Sequence, residues 1–243
     1  MNKIKKIVGF GDSWIYGDEL LDPKLVEQDQ EAHSCWSQNV DYRETNCFLG
    51  LLGQNYDVPV ENFGIPGGSL QSAMWTFLWW LRHESNPEEC LVLHGTTDND
   101  RFSLFNPKHK HYSNDPIWNK FIHSAWIEYG SSVVPDHFRD VGKNLIAYSD
   151  CEDLRQYNYE QAVGLFDGKS ARLNIPMLQF HIMPPITPAD VPTLLWPERN
   201  YCSWIVRHPE KELVTCPGGH PNEIGHQMIS KQLIPEIDSV ILT

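Results

Sequence analysis

The sequence predicts an α/β fold with a mostly parallel sheet of about five strands and helices on both faces. Short apolar segments typical of buried strands alternate along the chain with longer segments of helical periodicity. This alternation favours βαβ units, and such units build a parallel sheet that is covered on both faces. The 243 residues, 41% hydrophobic and 21% charged, are enough for one large domain with a core of its own. We therefore expect a single domain over residues 1–243.

Five segments have the composition of strands. The first, residues 4–10, is rich in β-branched residues and ends at a glycine. The third, residues 90–94, is short and apolar up to its final histidine, as expected of a strand that is buried on both faces. The predicted strands are residues 4–10, 58–63, 90–94, 175–182 and 201–206.

Helical segments lie between and after these strands. Ser69 is placed to cap a helix that Asn86-Pro87 ends, and His220-Pro221-Asn222-Glu223 opens a closing helix with one apolar side. The predicted helices are residues 45–52, 69–81, 118–129, 136–148 and 152–166, followed by the closing helix.

Three connecting segments are predicted to be irregular. Residues 18–41 are polar and read as a loop, with a helical turn at Pro23. An aromatic-rich and histidine-rich insertion is expected near residues 102–116. Several prolines predict a long loop near residues 183–200, in which Trp196 is a candidate for lining a substrate cleft.

Composition and charge narrow the possible partners. The net charge of -13 disfavours nucleic acid or an anionic membrane as the main partner, because both require a basic face. No segment approaches the roughly 20 apolar residues of a membrane span. The apolar segment that follows the first lysines is too short for a signal peptide. We expect neither a signal peptide nor a transmembrane segment, and a cytoplasmic location.

No cofactor and no metal are expected. The six cysteines are scattered without a C-x-x-C pair, which is more typical of reduced thiols than of a disulfide framework. His109-Lys110-His111 has ligand-type side chains, but a solvated loop is the favoured interpretation. The segment from Gly9 to Trp14 resembles a dinucleotide-binding turn, yet Trp14 stands where close helix–strand packing requires a third glycine.

Gly11-Asp12-Ser13 ends the first predicted strand and is the first candidate for a functional site. A serine there lies where a strand turns into a helix, with its hydroxyl above the edge of the sheet. Because a hydroxyl is a poor nucleophile near neutral pH, a catalytic serine needs a base, usually histidine, and donors for the oxyanion. The simpler alternative is that Ser13 caps a helix. Asp12 is predicted to tie down the turn through its carboxylate.

Three more segments are expected at the same edge of the sheet, because functional loops of parallel sheets lie at the carboxyl ends of the strands. They are residues 64–69, residues 95–101 and the loop that carries His220. Histidine suits the role of base because an imidazole exchanges protons near neutral pH. The alternative for His220 is a capping residue before the last helix.

These motifs, in this order, resemble the GDSL (also called SGNH) esterase and lipase superfamily. Gly11-Asp12-Ser13 matches the first block of that family, and Gly67 matches the glycine of its second block. Gly95-Thr96-Thr97-Asp98 matches the third block except at its third position, where the family has asparagine. Pro217-Gly218-Gly219-His220-Pro221-Asn222 matches the last block except at its first position, where the family has aspartate.

The resemblance implies a three-layer α/β/α sandwich with a flavodoxin-like sheet, and ester hydrolysis through an acyl-serine intermediate. In that scheme Ser13 attacks, and His220 acts first as base and then as acid. The backbone N–H groups of Ser13 and Gly67 hold the oxyanion, with Gly64 and Gly68 as alternatives to Gly67 and a plain turn glycine as the simpler interpretation. Thr97 replaces the oxyanion asparagine, and either Thr97 or Asn99 is expected to supply a side-chain donor.

The family's triad aspartate is missing, because Pro217 occupies its position. A backbone carbonyl, Glu223 or Asp190 are the alternatives for orienting His220. Loss of one oxyanion donor typically lowers turnover by about 100- to 1000-fold. We therefore expect a Ser-His dyad with slow or specialised turnover.

Three functional hypotheses follow. The first is a serine esterase that removes a small acyl group, O-acetyl by preference, from a small ester or an acylated carbohydrate. The second is a catalytically impaired relative that binds a glycan or serves as a structural part of a virion. The third is acyl transfer to a sugar hydroxyl. The threonine-containing third block, followed by arginine, resembles diverged phage members of the superfamily, so a virion-associated location stays open beside a cytoplasmic one.

Overall fold

The computed structural model describes residues 4–29, 32–34, 37–99, 101, 103–105, 121–123, 152–184 and 187–241. The helix predicted over 136–148, most of the predicted insertion near 102–116 and the motif at 109–111 lie outside the described residues. The prediction of a helix over 118–129 is wrong at Phe121–His123, which form a strand paired antiparallel with Ser103–Phe105.

Four parallel strands form the central sheet of the described chain. The strands are β1 (Lys6–Gly11), β2 (Val60–Gly64), β3 (Cys90–Thr96), β4 (Ser103–Phe105), β5 (Phe121–His123) and β6 (Met177–His181). The sheet order is β2-β1-β3-β6, whereas β4 and β5 form a separate antiparallel pair. The central order is that of flavodoxin-like sheets, in which strands are added on both sides of β1.

Local sequence explains where the helices begin. Ser69 accepts the Ser72 backbone N–H at 3.2 Å and forms a capping box before the helix Leu70–His83. Asn222 accepts the N–H groups of Ile224 and Gly225 at 3.0 and 3.1 Å before the last helix. The helices are α1 (Ser13–Tyr16), α2 (Pro23–Gln28), α3 (Val40–Asn46), α4 (Phe48–Tyr56), α5 (Leu70–His83), α6 (Glu152–Leu173), α7 (Tyr201–Val206), α8 (Lys211–Val214) and α9 (Glu223–Ile241). Within the described ranges, none of them combines the length and apolarity needed to cross a bilayer.

The two faces of the sheet bury separate apolar clusters because side chains alternate along each strand. Ile7 belongs to the cluster that α1, α4 and α9 cover. Its neighbour Val8 belongs to the opposite cluster, which Phe77 of α5 and Phe166 of α6 cover. The predicted three-layer α/β/α sandwich with a flavodoxin-like parallel sheet is therefore confirmed.

The prediction of a fifth strand is wrong, because residues Tyr201–Val206 form α7. The side chain of Asn200 accepts the backbone N–H of Ser203 at 2.8 Å and so caps the first turn of a helix. Tyr201 and Ile205, four residues apart, are both buried on the side that faces the core. A short apolar segment fits a strand or a buried helix equally well, and here the cap decides for the helix.

The free edge of β6 is covered by the proline-rich loop instead of a fifth strand. Gln179 pairs with Leu194, and His181 pairs with Asn200, in two isolated parallel bridges. The Leu195 N–H also donates to the carbonyl of Gln179 at 2.8 Å. The loop around Trp196 therefore runs along the sheet towards the carboxyl end of β6.

Candidate active site

Ser13 lies at the turn from β1 into α1, and the packing of two strands fixes that turn. Gly11 has a φ of 151°, and a Cβ at this position would lie 2.6 Å from the carbonyl oxygen of Gly95 in β3. Only glycine fits there. Asp12 then caps α1, because its Oδ1 accepts the N–H of Trp14 at 3.0 Å. Ser13 is only 4% exposed.

The structure brings Ser13 and His220 together from opposite ends of the chain. The Ser13 Oγ and the His220 Nε2 are 2.9 Å apart, a hydrogen-bond distance. With the ring proton on Nδ1, Nε2 accepts the serine hydroxyl hydrogen. This is the geometry that a general base requires to remove that hydrogen.

A tight hairpin holds His220 in place. Thr215 and Pro221 form an antiparallel bridge. Inside the hairpin, the Cys216 N–H donates to the His220 carbonyl at 2.8 Å, and the Gly219 N–H donates to the Cys216 carbonyl at 2.9 Å. Gly219 has a φ of 93°, which an L side chain rarely adopts. The backbone of His220 is therefore fixed by local hydrogen bonds before α9 begins.

A carboxylate that no sequence motif marked stands behind the imidazole. Glu19 Oε2 lies 3.2 Å from the His220 Nδ1. The oxygen is off the line of a ring N–H bond, so the contact is an ion-pair contact rather than an aligned hydrogen bond. The same oxygen accepts the backbone N–H of His220 at 3.3 Å. Glu19 has a φ of 66°, and a non-glycine residue in this region stores of order 1–3 kcal/mol of strain.

The two acids that sequence reasoning proposed for this position are placed elsewhere. Glu223 accepts the hydroxyl of Tyr42 at 2.6 Å, and Asp190 is exposed on the proline-rich loop. Pro217, at the position of the family's aspartate, offers no acidic side chain. No local sequence signal pointed to Glu19.

A buried network fixes the opposite side of the site. Asp12 Oδ2 accepts the Thr97 hydroxyl at 2.7 Å and the Arg101 Nη1 at 3.2 Å. The same Arg101 nitrogen donates to the Thr97 Oγ1 at 2.9 Å. The three residues are 0%, 3% and 5% exposed, so charge and hydrogen bonds are matched inside the protein. Asp12 does tie down the turn, and it does so together with Arg101, to which sequence reasoning gave no role.

The network bears on the oxyanion donors that we predicted. The Thr97 hydroxyl has one hydrogen, and Asp12 accepts it. Asn99 differs, because its amide is 8% exposed and neither its nitrogen nor its oxygen has a hydrogen-bond partner within the described part of the chain. A buried unpaired polar group is destabilising by about 1–3 kcal/mol. Of these two candidates, Asn99 is therefore the one with a free donor.

Gly67 lies in a turn that is attached to the nucleophile strand. The Ile65 N–H donates to the Gly11 carbonyl at 3.0 Å, and the Gly68 N–H closes the turn on the Ile65 carbonyl at 2.7 Å. Pro66 followed by Gly67, with a φ of 67°, is the pattern of a type II turn. The Gly67 N–H is not the group that closes this turn. The oxyanion roles of Ser13 and Gly67 remain predictions.

Other histidines near the site are held neutral by burial. Burial lowers the pKa of His181 to about 4, and its Nδ1 lies 2.8 Å from the Thr96 hydroxyl. Burial, with a smaller contribution from the charge of His220, lowers the pKa of His226 to about 3. The His226 Nδ1 accepts the backbone N–H of Phe48 at 3.2 Å. His220 is therefore the partly exposed imidazole that contacts the serine, and these two rings are structural.

The fold is similar to that of several esterases and lipolytic proteins. The psychrotrophic esterase EstA from Pseudoalteromonas sp. is 12% identical over 98% of this chain and 100% of its own, with a TM-score of 0.47. Axe2, an acetylxylan esterase from Geobacillus stearothermophilus, is 12% identical over 98% and 96%, with a TM-score of 0.46. A member of the lipolytic protein G-D-S-L family from Veillonella parvula DSM 2008 is 12% identical over 95% and 97%, with a TM-score of 0.38. No protein-family model and no curated protein sequence matches the chain.

Proposed function

We propose that the chain is a serine esterase of the GDSL/SGNH type. The observation that carries the proposal is the 2.9 Å contact between the Ser13 Oγ and the His220 Nε2. Two motifs 207 residues apart meet in the arrangement of a nucleophile and its base. A serine that served only as a helix cap would need no imidazole on its hydroxyl.

The reaction follows from this pair. His220 Nε2 removes the hydroxyl proton as Ser13 Oγ attacks the carbonyl carbon of the ester. His220 then returns the proton to the departing alcohol as the C–O bond breaks, which leaves an acyl group on Ser13. A water molecule, deprotonated by His220, then attacks the acyl carbon; the bond to Ser13 Oγ breaks, His220 returns the proton to that oxygen, and the acid and the free serine are released.

The oxyanion of each tetrahedral intermediate needs donors that are in place before the reaction. We assign this role to the backbone N–H groups of Ser13 and Gly67 and to the side-chain amide of Asn99. Asn99 replaces Thr97 in our proposal because the Thr97 hydroxyl already donates to Asp12. Loss of one such donor is expected to lower kcat by about 100-fold or more.

The substrate that fits best is a small acyl ester, O-acetyl by preference, on a carbohydrate alcohol. Because Ser13 is only 4% exposed, a substrate has to reach a nearly buried hydroxyl, and we take this to favour a small acyl group. We assign the alcohol side to Trp196, which is partly exposed in the loop along β6 and contacts Tyr201 edge-on, with ring centroids 6.1 Å apart. A partly exposed aromatic side chain is the kind of surface on which sugars pack.

Hydrolysis of p-nitrophenyl acetate by the wild type and by Ser13→Ala tests the proposal. We expect the variant to lose at least about 1000-fold in kcat/KM, because the nucleophile is gone. Ser239→Ala, a serine exposed on α9, is the matched control and should keep the wild-type rate. Equal rates for wild type and Ser13→Ala would retire the esterase proposal in favour of a glycan-binding or virion structural role.

Substrate choice is tested with the same preparations. p-Nitrophenyl acetate should be cleaved faster than the hexanoate ester, and acetylated xylo-oligosaccharides should release acetate. Acyl transfer to added sugar in excess of hydrolysis would identify a transferase instead.

A further inference from the structure

Glu19 holds both the backbone and the ring of His220 through one oxygen. Its Oε2 accepts the His220 backbone N–H at 3.3 Å and lies 3.2 Å from the ring Nδ1. The ring nitrogen opposite, Nε2, is the one that contacts Ser13. The order Ser13, His220, Glu19 therefore reproduces the sequence of groups in a catalytic triad, with the acid supplied by the α1–α2 connection.

We propose that Glu19 is the positioning residue of this esterase: it keeps the proton of the neutral His220 ring on Nδ1 and stabilises the ring when it is charged. The inference rests on the proposed function, because it concerns how His220 serves Ser13. The negative charge beside Nδ1 leaves Nε2 free to accept the serine proton and offsets the positive charge that results.

The hairpin of His220 leaves space for the carboxylate of Glu19. A Cβ at Gly218 would lie 1.6 Å from the Glu19 Oε1, so the absence of a side chain there opens the space that the carboxylate occupies. From the other side, the Cys216 thiol donates to the Glu19 carbonyl at 3.5 Å. The hairpin thus contacts Glu19 at two points, since His220 binds its carboxylate and Cys216 binds its backbone carbonyl.

The backbone of Glu19 supports a specific placement of its side chain. Its φ of 66° is in the left-handed region, which a residue with a Cβ occupies only when its surroundings hold it there. Its N–H donates to the Asp18 carboxylate at 3.1 Å, which is consistent with such a constraint. The strained conformation directs the side chain towards the hairpin of His220.

Glu19→Gln tests the role, because it keeps the shape and removes the charge. We expect kcat for p-nitrophenyl acetate to fall about 100-fold with KM little changed. The fall is smaller than the roughly 10,000-fold typical of a buried triad aspartate. The reason is that the Glu19 side chain is 31% exposed, so water screens its charge.

The pH dependence separates positioning from a merely structural role. Without the carboxylate, the protonated ring is less favoured, so the acidic limb of the kcat/KM profile should move to lower pH. Glu19→Asp keeps the charge and should recover at least about 10-fold of the lost rate. Its acidic limb should also lie closer to the wild-type pH than the limb of Glu19→Gln. Glu212→Gln, an exposed acid on α8, is the charge-matched control and should change neither. A uniform fall at every pH, or wild-type kinetics in Glu19→Gln, would overturn the proposal.

Gly218→Ala perturbs the contact between Glu19 and His220 from the side of the hairpin. The added methyl collides with the flexible end of Glu19 rather than with backbone, so the carboxylate should move while the fold is kept. We expect a smaller loss of rate in the same direction as Glu19→Gln, and little further loss in the double variant. Losses that multiply in the double variant would show that the two residues act separately, against the proposal.

A readout without catalysis separates this inference from the esterase proposal. In Ser13→Ala, ¹⁵N NMR of the neutral His220 ring should show the resonance of a protonated Nδ1, and this resonance should weaken in Ser13→Ala/Glu19→Gln as the proton moves to Nε2. If the resonance behaves in this way but Ser13→Ala hydrolyses esters at the wild-type rate, the esterase proposal fails while the contact stands. If Ser13→Ala is inactive and the resonance does not depend on Glu19, only the inference about Glu19 fails.

Discussion

The two sides of the site are held in different ways. On the nucleophile side, Asp12, Thr97 and Arg101 are almost fully buried and satisfy one another's hydrogen bonds. On the base side, His220 and Glu19 have side chains that are 24% and 31% exposed, and they meet across a short hairpin. Buried side chains therefore fix the serine side, whereas on the base side hairpin hydrogen bonds fix the backbone of His220 and its ring has a partly exposed contact with Glu19.

This difference indicates which measurement should detect a substitution on each side of the site. A buried charge that loses its partner is strongly destabilising, so changes beside Ser13 should appear in the free energy of unfolding. A partly exposed pair contributes little to stability because water screens it, so changes beside His220 should appear in rate and pH dependence. The predictions below test this division.

The largest effect is expected for Arg101→Met. The variant leaves the Asp12 carboxylate buried without its positive partner, and we expect the free energy of unfolding to fall by about 3–5 kcal/mol. Urea denaturation measures this, with Arg207→Met, an exposed arginine next to α7, as the control that should change little. Asp12→Asn/Arg101→Met should lose less than the sum of the two single variants, because neither unpaired charge remains. A loss below about 1 kcal/mol in Arg101→Met would contradict the buried-network interpretation.

The next effect separates Asn99 from Thr97. Asn99→Ala removes an amide without a partner in the described structure, so kcat should fall about 100-fold while stability is unchanged or higher. Thr97→Val removes a donor to Asp12, so stability should fall by about 1–3 kcal/mol with a smaller loss of kcat. Both variants are compared by urea denaturation and by turnover of p-nitrophenyl acetate. A larger loss of kcat in Thr97→Val than in Asn99→Ala would instead assign the oxyanion role to Thr97.

The rim of the site was predictable because its motifs are local in sequence. Ser13 follows a strand, Gly67 follows the next, and His220 precedes a helix. Parallel strands place such loops at one edge whatever the contacts in detail. The same rule brought Asn99 to this edge as a candidate, although sequence alone did not separate it from Thr97.

The partners of these residues could not be predicted from the sequence. Glu19 and His220 are 201 positions apart, and Arg101 and Asp12 are 89 apart, and no spacing rule links such pairs. The failed fifth strand has another cause, since a six-residue segment that is apolar except at Ser203 fits a buried strand or a short helix equally well. In that case Asn200 was a usable signal, because a capping residue before an apolar segment favours a helix.

The smallest effect concerns His226, a buried histidine on the base side. It tests whether lowering the pH reduces the free energy of unfolding through this residue. Burial lowers the pKa of His226 to about 3, below the value of about 6.5 for an unfolded histidine. The unfolded chain therefore binds a proton more readily, so the contribution of neutral His226 is present above pH ~6.5 and is lost as the pH falls towards about 3. Between pH 7 and pH 5, this linkage should lower the free energy of unfolding by about 2 kcal/mol.

His226→Gln isolates that contribution, because a side-chain amide oxygen can still accept the Phe48 N–H but does not titrate. Urea denaturation at pH 7 and pH 5 should show the variant losing about 2 kcal/mol less than the wild type over this interval. His83→Gln, at an exposed position on α5, should follow the wild type. If His226→Gln lost as much free energy of unfolding as the wild type between pH 7 and pH 5, other groups would cause the loss. The buried imidazole of His226 would then not contribute to the pH dependence of stability.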